Sequence, residues 1–274
     1  MRVVKSQLSY CLDVLAELTE AGYGIGVSAL AKKIDIPKTS CQRILQQLID
    51  EGWVEQDDVT KFYRLTMRMP VLGQLFLTSL GVTDAFQAIL SDMARRTREL
   101  ARLTVVEGER LVWIGSAQGA DPGLMYQPAM ETKIVSFATA NGKAWLANLD
   151  PKTADRIALK EGIGRPHPQG VQGPNAHRSL ASLRKDLSEI RKRGYAVAAE
   201  EAEPGITALA CPITDLASDT VLGTISIAGP SFRLPSERYA SLSRELGKAA
   251  LQIARILPHR VKQSTKKAAQ NVKN

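Results

Sequence analysis

Apolar residues recur at helical spacing along the first fifty residues and then alternate with polar residues in short runs. The first recurrence predicts an amphipathic helix over roughly residues 6–20. Its apolar positions are Leu8, Cys11, Leu12, Leu15 and Leu18. Glycines at positions 22, 24 and 26 end this helix. We expect Ser28 to cap a second, shorter helix over residues 29–34, in which Leu30 and Ile34 face the core.

A third helix is predicted over residues 37–49, and it has two chemically distinct faces. It begins at Pro37, where a fixed φ and a missing N–H do not disturb a helix. One face is an apolar stripe that consists of Cys41, Ile44, Leu45 and Leu48. The other face carries hydrogen-bond donors and no acid, and it consists of Lys38, Thr39, Gln42, Arg43 and Gln46. Two short strands, residues 53–55 and 62–65, then predict a hairpin.

This helix–turn–helix–hairpin arrangement over residues 27–65 favours a DNA-binding function. Phosphates repel carboxylates and base edges accept hydrogen bonds, so an acid-free face of donors suits the major groove. The face alone is equally typical of an ordinary surface helix, and the whole arrangement decides for DNA. Lys61 and Arg64 of the hairpin are placed to meet phosphates. The candidate DNA-binding residues are Ser28, Lys38, Thr39, Ser40, Gln42, Arg43, Gln46, Lys61 and Arg64.

The rest of the chain predicts an α+β domain. An amphipathic helix over residues 84–100 buries Phe86, Ile89, Leu90 and Met93. The cations at its end are Arg95, Arg96, Arg98 and Arg102. They either approach DNA or a partner subunit, or are solvated cations that the helix dipole favours. Predicted strands then lie near residues 103–106, 111–115, 195–199, 208–213 and 221–228. Predicted helices lie at 141–149, 151–161, 179–193 and 235–257, and we expect them to pack on one face of the sheet.

Charge supports a nucleic-acid partner only locally. The chain has a net charge of +8 and a pI of about 9.4, which permits such a partner. However, residues 1–66 carry eight Lys/Arg against nine Asp/Glu, which gives −1. The DNA argument therefore depends on the third helix and the hairpin.

The first residues and the cysteines indicate a soluble, cytoplasmic protein with no membrane partner. Asp13 and Glu17 interrupt the first apolar run, which excludes a signal peptide, and no apolar run reaches spanning length. Cys11, Cys41 and Cys211 are too few and too scattered for a disulfide framework or a zinc site.

Motifs of catalysis are absent from the sequence. It has no phosphate-binding loop, no His-Glu-x-x-His spacing and no Gly-x-Ser-x-Gly elbow. We expect His167 and His177 to be exposed loop residues. The group Glu200, Glu201 and Glu203 is expected in a solvated loop and not in acid–base catalysis. The sequence thus predicts no catalytic residue, cofactor or metal. An enzyme that binds small molecules and carries an accessory winged helix is the alternative.

Several collinear segments carry a resemblance to a known family. IDIPKTSCQRILQQLIDEGWVEQ followed by KFYRLT resembles the winged helix-turn-helix of the IclR-type bacterial transcription regulators. TANGKAWLANL (139–149), GYAVAAEEAEPGITALACPITD (194–215) and TISIAGP (224–230) are similar to segments of the same family. The resemblance covers roughly residues 5–255. It implies a regulator that binds a partly palindromic operator as a homodimer or a dimer of dimers and responds to a small effector.

The domain organisation follows from the patterns and the resemblance together. We expect a winged helix-turn-helix domain at 1–67, and a linker with the first helix of the second domain at 68–100. A GAF-like effector-binding domain with a mostly antiparallel sheet is expected at 80–257, and a basic disordered tail at 258–274.

The effector pocket departs from the family pattern. Small residues before the helix at 141–149 let backbone approach a ligand, and the N–H groups at its start favour a carboxylate. Alanines stand at 198, 208 and 228, where many members have Asp, Cys and Ser, while Ser226 keeps its hydroxyl. This predicts an acid with an apolar or aromatic body. Trp113, Tyr126 and Phe137 form the pocket walls or pack in the core. The candidate effector-binding residues are Thr139, Ala140, Asn141, Gly142, Ala198, Ala208, Cys211, Ser226, Ala228, Trp113, Tyr126 and Phe137.

Overall fold

The computed structural model describes residues 5–79, 83–121, 123–128, 134–165 and 173–257. His167 and the predicted tail at 258–274 lie outside the described residues. The chain divides into two compact units, Met1–Leu80 and Gly81–Asn274, and buried apolar residues form a core in each. None of the described helices combines the length and the apolar character that crossing a membrane requires.

The first unit is a helix-turn-helix followed by a two-stranded hairpin and a further helix. Its elements are α1 (Gln7–Glu20), α2 (Val27–Lys33), α3 (Lys38–Asp50), β1 (Val54–Gln56), β2 (Tyr63–Leu65) and α4 (Arg68–Ser79). The two strands are antiparallel, with Val54 opposite Leu65. This arrangement confirms the predicted winged helix-turn-helix fold.

The apolar stripe of α3 is buried as predicted, because it packs on the other two helices of the motif. Cys41, Ile44, Leu45 and Leu48 are all buried in the core of the first unit. The chain reaches α3 through a tight turn in which Asp35 adopts a left-handed conformation with φ 55°. Pro37 precedes the helix as its N-cap.

Two expectations for the first helices were wrong. Leu8 and Leu12 do not face the core and are 69% and 58% exposed. Leu18 is buried as expected and Val14, which was not in the predicted set, is buried too, because residues 11, 14, 15 and 18 form the continuous stripe. Ser28 does not cap α2, since the helix begins at Val27, two residues earlier than expected, with Gly26 as N-cap.

The second unit is built around a five-stranded antiparallel sheet with the order β4-β3-β7-β6-β5. Its strands are β3 (Leu100–Glu107), β4 (Arg110–Ala117), β5 (Ala196–Ala199), β6 (Ile206–Thr214) and β7 (Val221–Pro230). Its helices are α5 (Thr83–Thr97), α6 (Ala140–Leu146), α7 (Pro151–Lys160), α8 (Leu180–Arg193) and α9 (Tyr239–Ile256). The predicted mixed α+β class with an antiparallel sheet is confirmed.

Helices cover both faces of this sheet, so the expectation of one covered face was wrong. The helices α5 and α9 contact each other and pack on one face. There, Gly115 of β4 meets Leu90 of α5, and the Cys211 thiol of β6 contacts the Ser243 carbonyl of α9. On the other face, α6 contacts β5, β6 and β7 and packs against α8. We call this second face the α6 face.

The boundary between α5 and β3 also differs from the expectation. The helix ends at Thr97, and Leu100 begins β3. Arg102 is therefore a buried strand residue and not a cation at a helix end. The physical reason is register, because residues 100–105 pair with residues 223–228 of β7, which lies more than a hundred residues further along the chain.

The core of the first unit gives a direct stability test. Leu45 is fully buried between the helices of the motif. We expect Leu45→Ala to lower the free energy of unfolding of the first unit by about 2–5 kcal/mol, since it leaves a cavity. Val59→Ala at the hairpin tip, where Val59 is 90% exposed, should change it by less than about 0.5 kcal/mol. Urea denaturation of the full chain measures both, and equal effects would contradict the assigned core.

Candidate DNA-contacting surface and effector cavity

The donor face of α3 is exposed along the helix. Lys38, Thr39, Gln42, Arg43 and Gln46 all lie at exposed positions. Gln46 donates a hydrogen bond to Asp50 at 2.8 Å. The N-cap residue Pro37 makes no side-chain cap. Because this face is exposed and carries no acid over residues 38–46, it can contact an anionic surface along its length.

The hairpin presents its two candidate cations differently. Lys61 is exposed and lies in the turn with φ 57°. Arg64 is opposite Glu55 across the hairpin, and its Nε donates to Glu55 Oε1 at 2.6 Å. Both partners are about half exposed, so this pair contributes at most about 1 kcal/mol and Arg64 can exchange it for another anion. Of the remaining candidates, Ser28 is exposed on α2 and Ser40 is half-buried on α3.

The four predicted cations at the start of the second unit lie in two different environments. Arg95 and Arg96 both pair with Asp92, and Arg96 also reaches Glu245 of α9 at 3.2 Å. Arg98 lies 3.7 Å from Asp121. These exposed arginines form ion pairs within the second unit, whereas Arg102 is buried in β3.

Five of the predicted effector residues share the α6 face. Antiparallel partners point to the same side of a sheet, and the register places Ala198 opposite Ala208 and Ala208 opposite Ala228. Ser226 follows two residues before Ala228 on β7, and Trp113 of β4 packs against the same core. The sheet therefore brings these residues together although they come from four strands.

The N-terminus of α6 is filled by the chain itself. Thr139 Oγ1 accepts the Gly142 N–H at 3.1 Å. A Cβ at Gly142 would lie 2.1 Å from the Ser136 Cα, so the backbone is packed tightly there. Asn141 donates to Thr224 Oγ1 at 2.8 Å, and that hydroxyl lies 2.6 Å from Thr104 Oγ1. Asn141 thus holds α6 on the sheet, Thr139 caps its first turn, and Ala140 is buried beside them.

Two predicted effector residues do not lie at an open position on the α6 face. Cys211 alternates with Ala210 and points to the α9 face, where its thiol donates to the Ser243 carbonyl at 3.6 Å. Burial raises the pKa of this thiol to about 12, so it stays protonated. Phe137 is fully buried in the α6-face core. Cys211 therefore does not share the α6 face with the predicted alanines, because the two-residue period of β6 turns it away.

A cavity of about 110 Å³ lies at the β3–β4 side of the α6 face. Its lining residues are Leu100, Arg102, Ser116, Gln118, Gln127 and Pro128. The guanidinium of Arg102 stacks on the ring of Trp113, 3.4 Å from its centroid. Sequence reasoning missed Arg102, although the alternation of Leu100, Arg102 and Thr104 could have placed it on one strand face.

Tyr126 lies beside this cavity and is fixed by a hydrogen bond. Its hydroxyl donates to Glu203 Oε1 at 2.7 Å, and Gln118 Nε2 donates to its carbonyl at 3.0 Å. Burial and the Glu203 carboxylate both raise the Tyr126 pKa well above its ordinary value. Tyr126 therefore remains a neutral donor at every physiological pH.

A buried charge cluster lies behind α6. Lys143, which is fully buried, places its Nζ 2.6 Å from Asp186 Oδ2 and 2.6 Å from Glu201 Oε1. His177 Nε2 lies 3.1 Å from Asp186 Oδ2. The expectations of an exposed His177 and a solvated Glu201 were wrong, because the segment before α8 brings His177 to Asp186 and the β5–β6 connection brings Glu201 to Lys143. Burial raises the pKa of Glu201.

The same cluster contains three metal-ligating side chains. His177, Asp186 and Glu201 place one ligand atom each within 4.8 Å of one another. The Lys143 ammonium bonds to both carboxylates and supplies positive charge at that position. Burial opposes ionisation of Asp186, but His177 and Lys143 outweigh it and lower the pKa of Asp186 to about 2. The arrangement is that of an internal ion-pair network.

Comparison with known proteins identifies relatives of both units. The family described as the IclR helix-turn-helix domain matches residues 11–58, and that described as the bacterial transcriptional regulator IclR C-terminal domain matches residues 74–255. The HTH-type transcriptional regulator BhcR of Paracoccus denitrificans is 27% identical over 247 residues, which cover 90% of this chain and 85% of BhcR.

Solved structures share the fold. An IclR transcriptional regulator from Alicyclobacillus acidocaldarius superposes with a TM-score of 0.80 at 24% identity, covering 92% of this chain and 98% of that one. An IclR homologue from Microbacterium hydrocarbonoxydans, crystallised with 4-hydroxybenzoate, has a TM-score of 0.71 at 19% identity, covering 90% and 98%.

The charge cluster predicts a large effect of removing its cation. Lys143→Met removes the ammonium that pairs with the buried Glu201 and the partly buried Asp186, and we expect it to lower the free energy of unfolding by about 3–5 kcal/mol at pH 7. Lys152→Met, at an exposed position on α7, should change it by less than about 0.5 kcal/mol. Urea denaturation measures both, and a loss below about 1 kcal/mol for Lys143→Met would contradict the assigned network.

The Asp186 pKa determines in which direction the stability of the folded state changes with pH. The folded-state pKa of Asp186 lies below its unfolded value of 3.8. Its ionisation therefore stabilises the folded wild type above pH 4, and this contribution is lost as the pH falls through about 2. In Lys143→Met the carboxylates take up protons more readily, so the difference in stability between variant and wild type should narrow from pH 7 to pH 5. Repeating the denaturation at both pH values measures this narrowing.

Proposed function

This chain belongs to the IclR family of bacterial transcriptional regulators, and we propose that its first unit reads a partly palindromic operator while its second binds a small organic acid. The match of the IclR C-terminal domain over residues 74–255 carries the conclusion. The relatives are named as transcriptional regulators, which favours regulation over the alternative of an enzyme with an accessory winged helix. We infer that the protein acts in the cytoplasm, where bacterial DNA lies.

The operator contacts come from α3 and the hairpin. We assign base and phosphate contacts to Lys38, Thr39, Gln42, Arg43 and Gln46, which share the exposed face of α3. Lys61 and Arg64 contact phosphates, and Arg64 must break its ion pair with Glu55 to do so. Ser28 and Ser40 are neutral donors beside the same helices. The support is the exposure of these side chains together with the match of the IclR helix-turn-helix domain.

A homodimer, or a dimer of dimers, is the proposed DNA-binding form. One recognition helix reads few base pairs, so two copies on a partly symmetric operator are needed for specificity. The first unit also exposes a group of large apolar side chains. The exposed apolar residues on α1, α4 and the residue before α4 are Leu8, Leu12, Met67, Val71, Leu72, Leu75 and Phe76. Such a concentration is typical of a protein–protein interface.

The proposed effector is a carboxylic acid with an apolar or aromatic body. The alanines at 198, 208 and 228 form a small-residue surface on the α6 face. A structural relative was crystallised with 4-hydroxybenzoate, which is an acid of this kind. Binding changes transcription only if the acid favours one arrangement of the paired heads, because a ligand shifts an equilibrium only between states that it binds unequally.

Arg43 provides the test of the DNA interface. The probe is the DNA upstream of the protein's own gene. If Arg43 contacts phosphate, Arg43→Ala should weaken binding and reduce the slope of log affinity against log salt by about one. If it reads guanine, the variant should lose about 1–3 kcal/mol of discrimination against altered sites.

Arg184→Ala is the matched control, because Arg184 pairs with Asp155 in the second unit. It should leave affinity and salt slope unchanged in the same mobility-shift titration. Unchanged affinity and selectivity in Arg43→Ala would remove Arg43 from the interface. Failure of the wild type to bind this DNA in a salt-dependent way would count against the proposed self-regulation.

The effector class is tested by thermal stability. We expect aromatic acids such as 4-hydroxybenzoate to raise the melting temperature of the second unit, because a ligand that binds only the folded state stabilises it by mass action. Short polar acids such as lactate should raise it less at equal concentration. Differential scanning fluorimetry with matched sodium salts makes the comparison, and stabilisation by the short acids alone would contradict the aromatic body.

A further inference from the structure

A groove of about 390 Å³ lies where α9 passes the edge of the sheet. Its walls come from α9, from the end of β6, and from the turn that joins α8 to β5. We call it the α9 groove, and it shares no lining residue with the cavity at the β3–β4 side of the α6 face. Small-molecule sites usually measure about 300–1,000 Å³, so the α9 groove is large enough to hold a ligand of its own.

Part of the wall of the α9 groove is apolar and open to water. Leu216, just after β6, is 61% exposed, and Leu251 of α9 is 44% exposed. Pro212 of β6 lines the same groove and lies beyond the residues that pair with β5. Because proline lacks a backbone N–H, this edge of β6 is a poor partner for an added strand. The exposed leucines thus favour the apolar body of a ligand over a further strand of sheet.

Two arginines and no acid line the α9 groove. Arg193 at the end of α8 is held in place, because its Nε donates to the Tyr195 carbonyl at 2.8 Å and its guanidinium lies over the Tyr195 ring. Asp186, outside the groove, lies 3.7 Å from Arg193 Nη2 and compensates part of its charge. Arg244 of α9 is exposed and has no ion pair or hydrogen bond with any residue that the structure describes. Arg244 is therefore the main uncompensated cation of the groove.

Gly247 stands in the middle of α9, at an exposed position on the groove wall. Its φ is not positive, and a Cβ placed on it would meet no atom within 4 Å. Glycine weakens a helix interior relative to alanine, and packing among the described residues gives no reason for it here. Arg244 precedes Gly247 by three residues and Leu251 follows it by four, so all three share one face of α9. That face offers a cation, an open stretch and an apolar side chain in order.

We propose that the α9 groove binds a small organic anion, with its oxyanion head at Arg244 and its apolar body over Gly247, against Leu216 and Leu251. A guanidinium fork matches two oxygens of a carboxylate, and the donors of Arg244 are not used within the described part of the chain. This site goes beyond the proposed function, because it is separate from the cavity on the α6 face.

A second copy of this chain fits the α9 groove less well. A two-fold contact places the same patch on both subunits, so each Arg244 would meet the cations of the other groove. The lining residues include no acid that could compensate them. Charge complementarity therefore favours an anionic occupant.

The experiment compares an acid with its neutral amide on the full-length protein by isothermal titration calorimetry. The probes are naphthalene-2-carboxylate and naphthalene-2-carboxamide. The acid should bind the wild type at least about tenfold more tightly than the amide, and Arg244→Gln should weaken acid binding about tenfold while leaving amide binding unchanged. Arg255→Gln is the matched control, because Arg255 is exposed on the same helix and does not line the groove. It should bind the acid as the wild type does.

A second variant fills the groove without disturbing the fold. Gly247→Met places a side chain in open space and replaces glycine by a better helix former, so its melting temperature should not fall below that of the wild type. It should nevertheless abolish detectable acid binding. Gln252→Met adds the same side chain at an exposed position of α9 outside the groove and should bind the acid normally.

Each outcome supports or overturns the proposal. Wild-type protein that does not bind the acid, or binds acid and amide equally, overturns it. Acid affinity within about twofold of wild type in folded Arg244→Gln or Gly247→Met also overturns it and places the acid elsewhere in the protein. If Gly247→Met changes the oligomeric state in analytical ultracentrifugation and the wild type binds no acid, the groove is an interface between copies and the proposal fails. Mobility-shift titration tests the proposed function separately, since DNA binding does not depend on any of these results.

Discussion

The pairing of β3 with β7 is the constraint on which the second unit depends. It joins strands that lie more than a hundred residues apart, with Arg102 opposite Ser226 and Thr104 opposite Thr224. A slip of one residue would turn Arg102 to the α5 and α9 face and separate the buried threonine hydroxyls. The Thr104–Thr224–Asn141 hydrogen bonds make that slip costly, because they would leave buried polar groups unpaired. The same register that fixes the core thus fixes Arg102 at the wall of the cavity.

Buried polar groups of α6 fix this helix on the sheet, and they thereby limit where a cavity can open on the α6 face. Asn141 attaches this short helix to the sheet, and Lys143 attaches it to α8 and the β5–β6 connection. A helix of seven residues has little stability of its own, so these contacts hold it across β5, β6 and β7. Because α6 covers that part of the sheet, the opening on the α6 face lies on the side of β3 and β4.

The spacing of apolar residues predicted correctly which side chains of α3 are buried, because burial on a helix face depends on local spacing. The stripe of α3 from Cys41 to Leu48 was predicted residue by residue, because four apolar positions on one helix face admit one orientation. The burial of Arg102, His177 and Glu201 could not be predicted that way. Their neighbours lie on strands and helices far along the chain. Charged residues are rarely buried unless they are paired, so a sequence without known partners predicts that they are exposed. The two-residue period of β6, counted from Ala208 and Ala210, could have placed Cys211 on the opposite face of the sheet.

The charge distribution of the first unit constrains how it can recognise DNA. With eight cations and nine acids over residues 1–66, the head lacks the positive field that gives strong nonspecific binding. Residues 38–46 of α3 carry none of these acids, and Asp50 at the end of the helix accepts a hydrogen bond from Gln46. Arg64 of the hairpin has an acidic partner, Glu55, in an exposed pair that breaks at little cost. Affinity then depends on donors placed against a matching groove and, in the proposed dimer, on two heads bound at once, more than on long-range attraction. We expect such a head to dissociate readily from unrelated DNA, so that in the proposed dimer a modest ligand-driven change in the pairing of the heads would change occupancy of the operator.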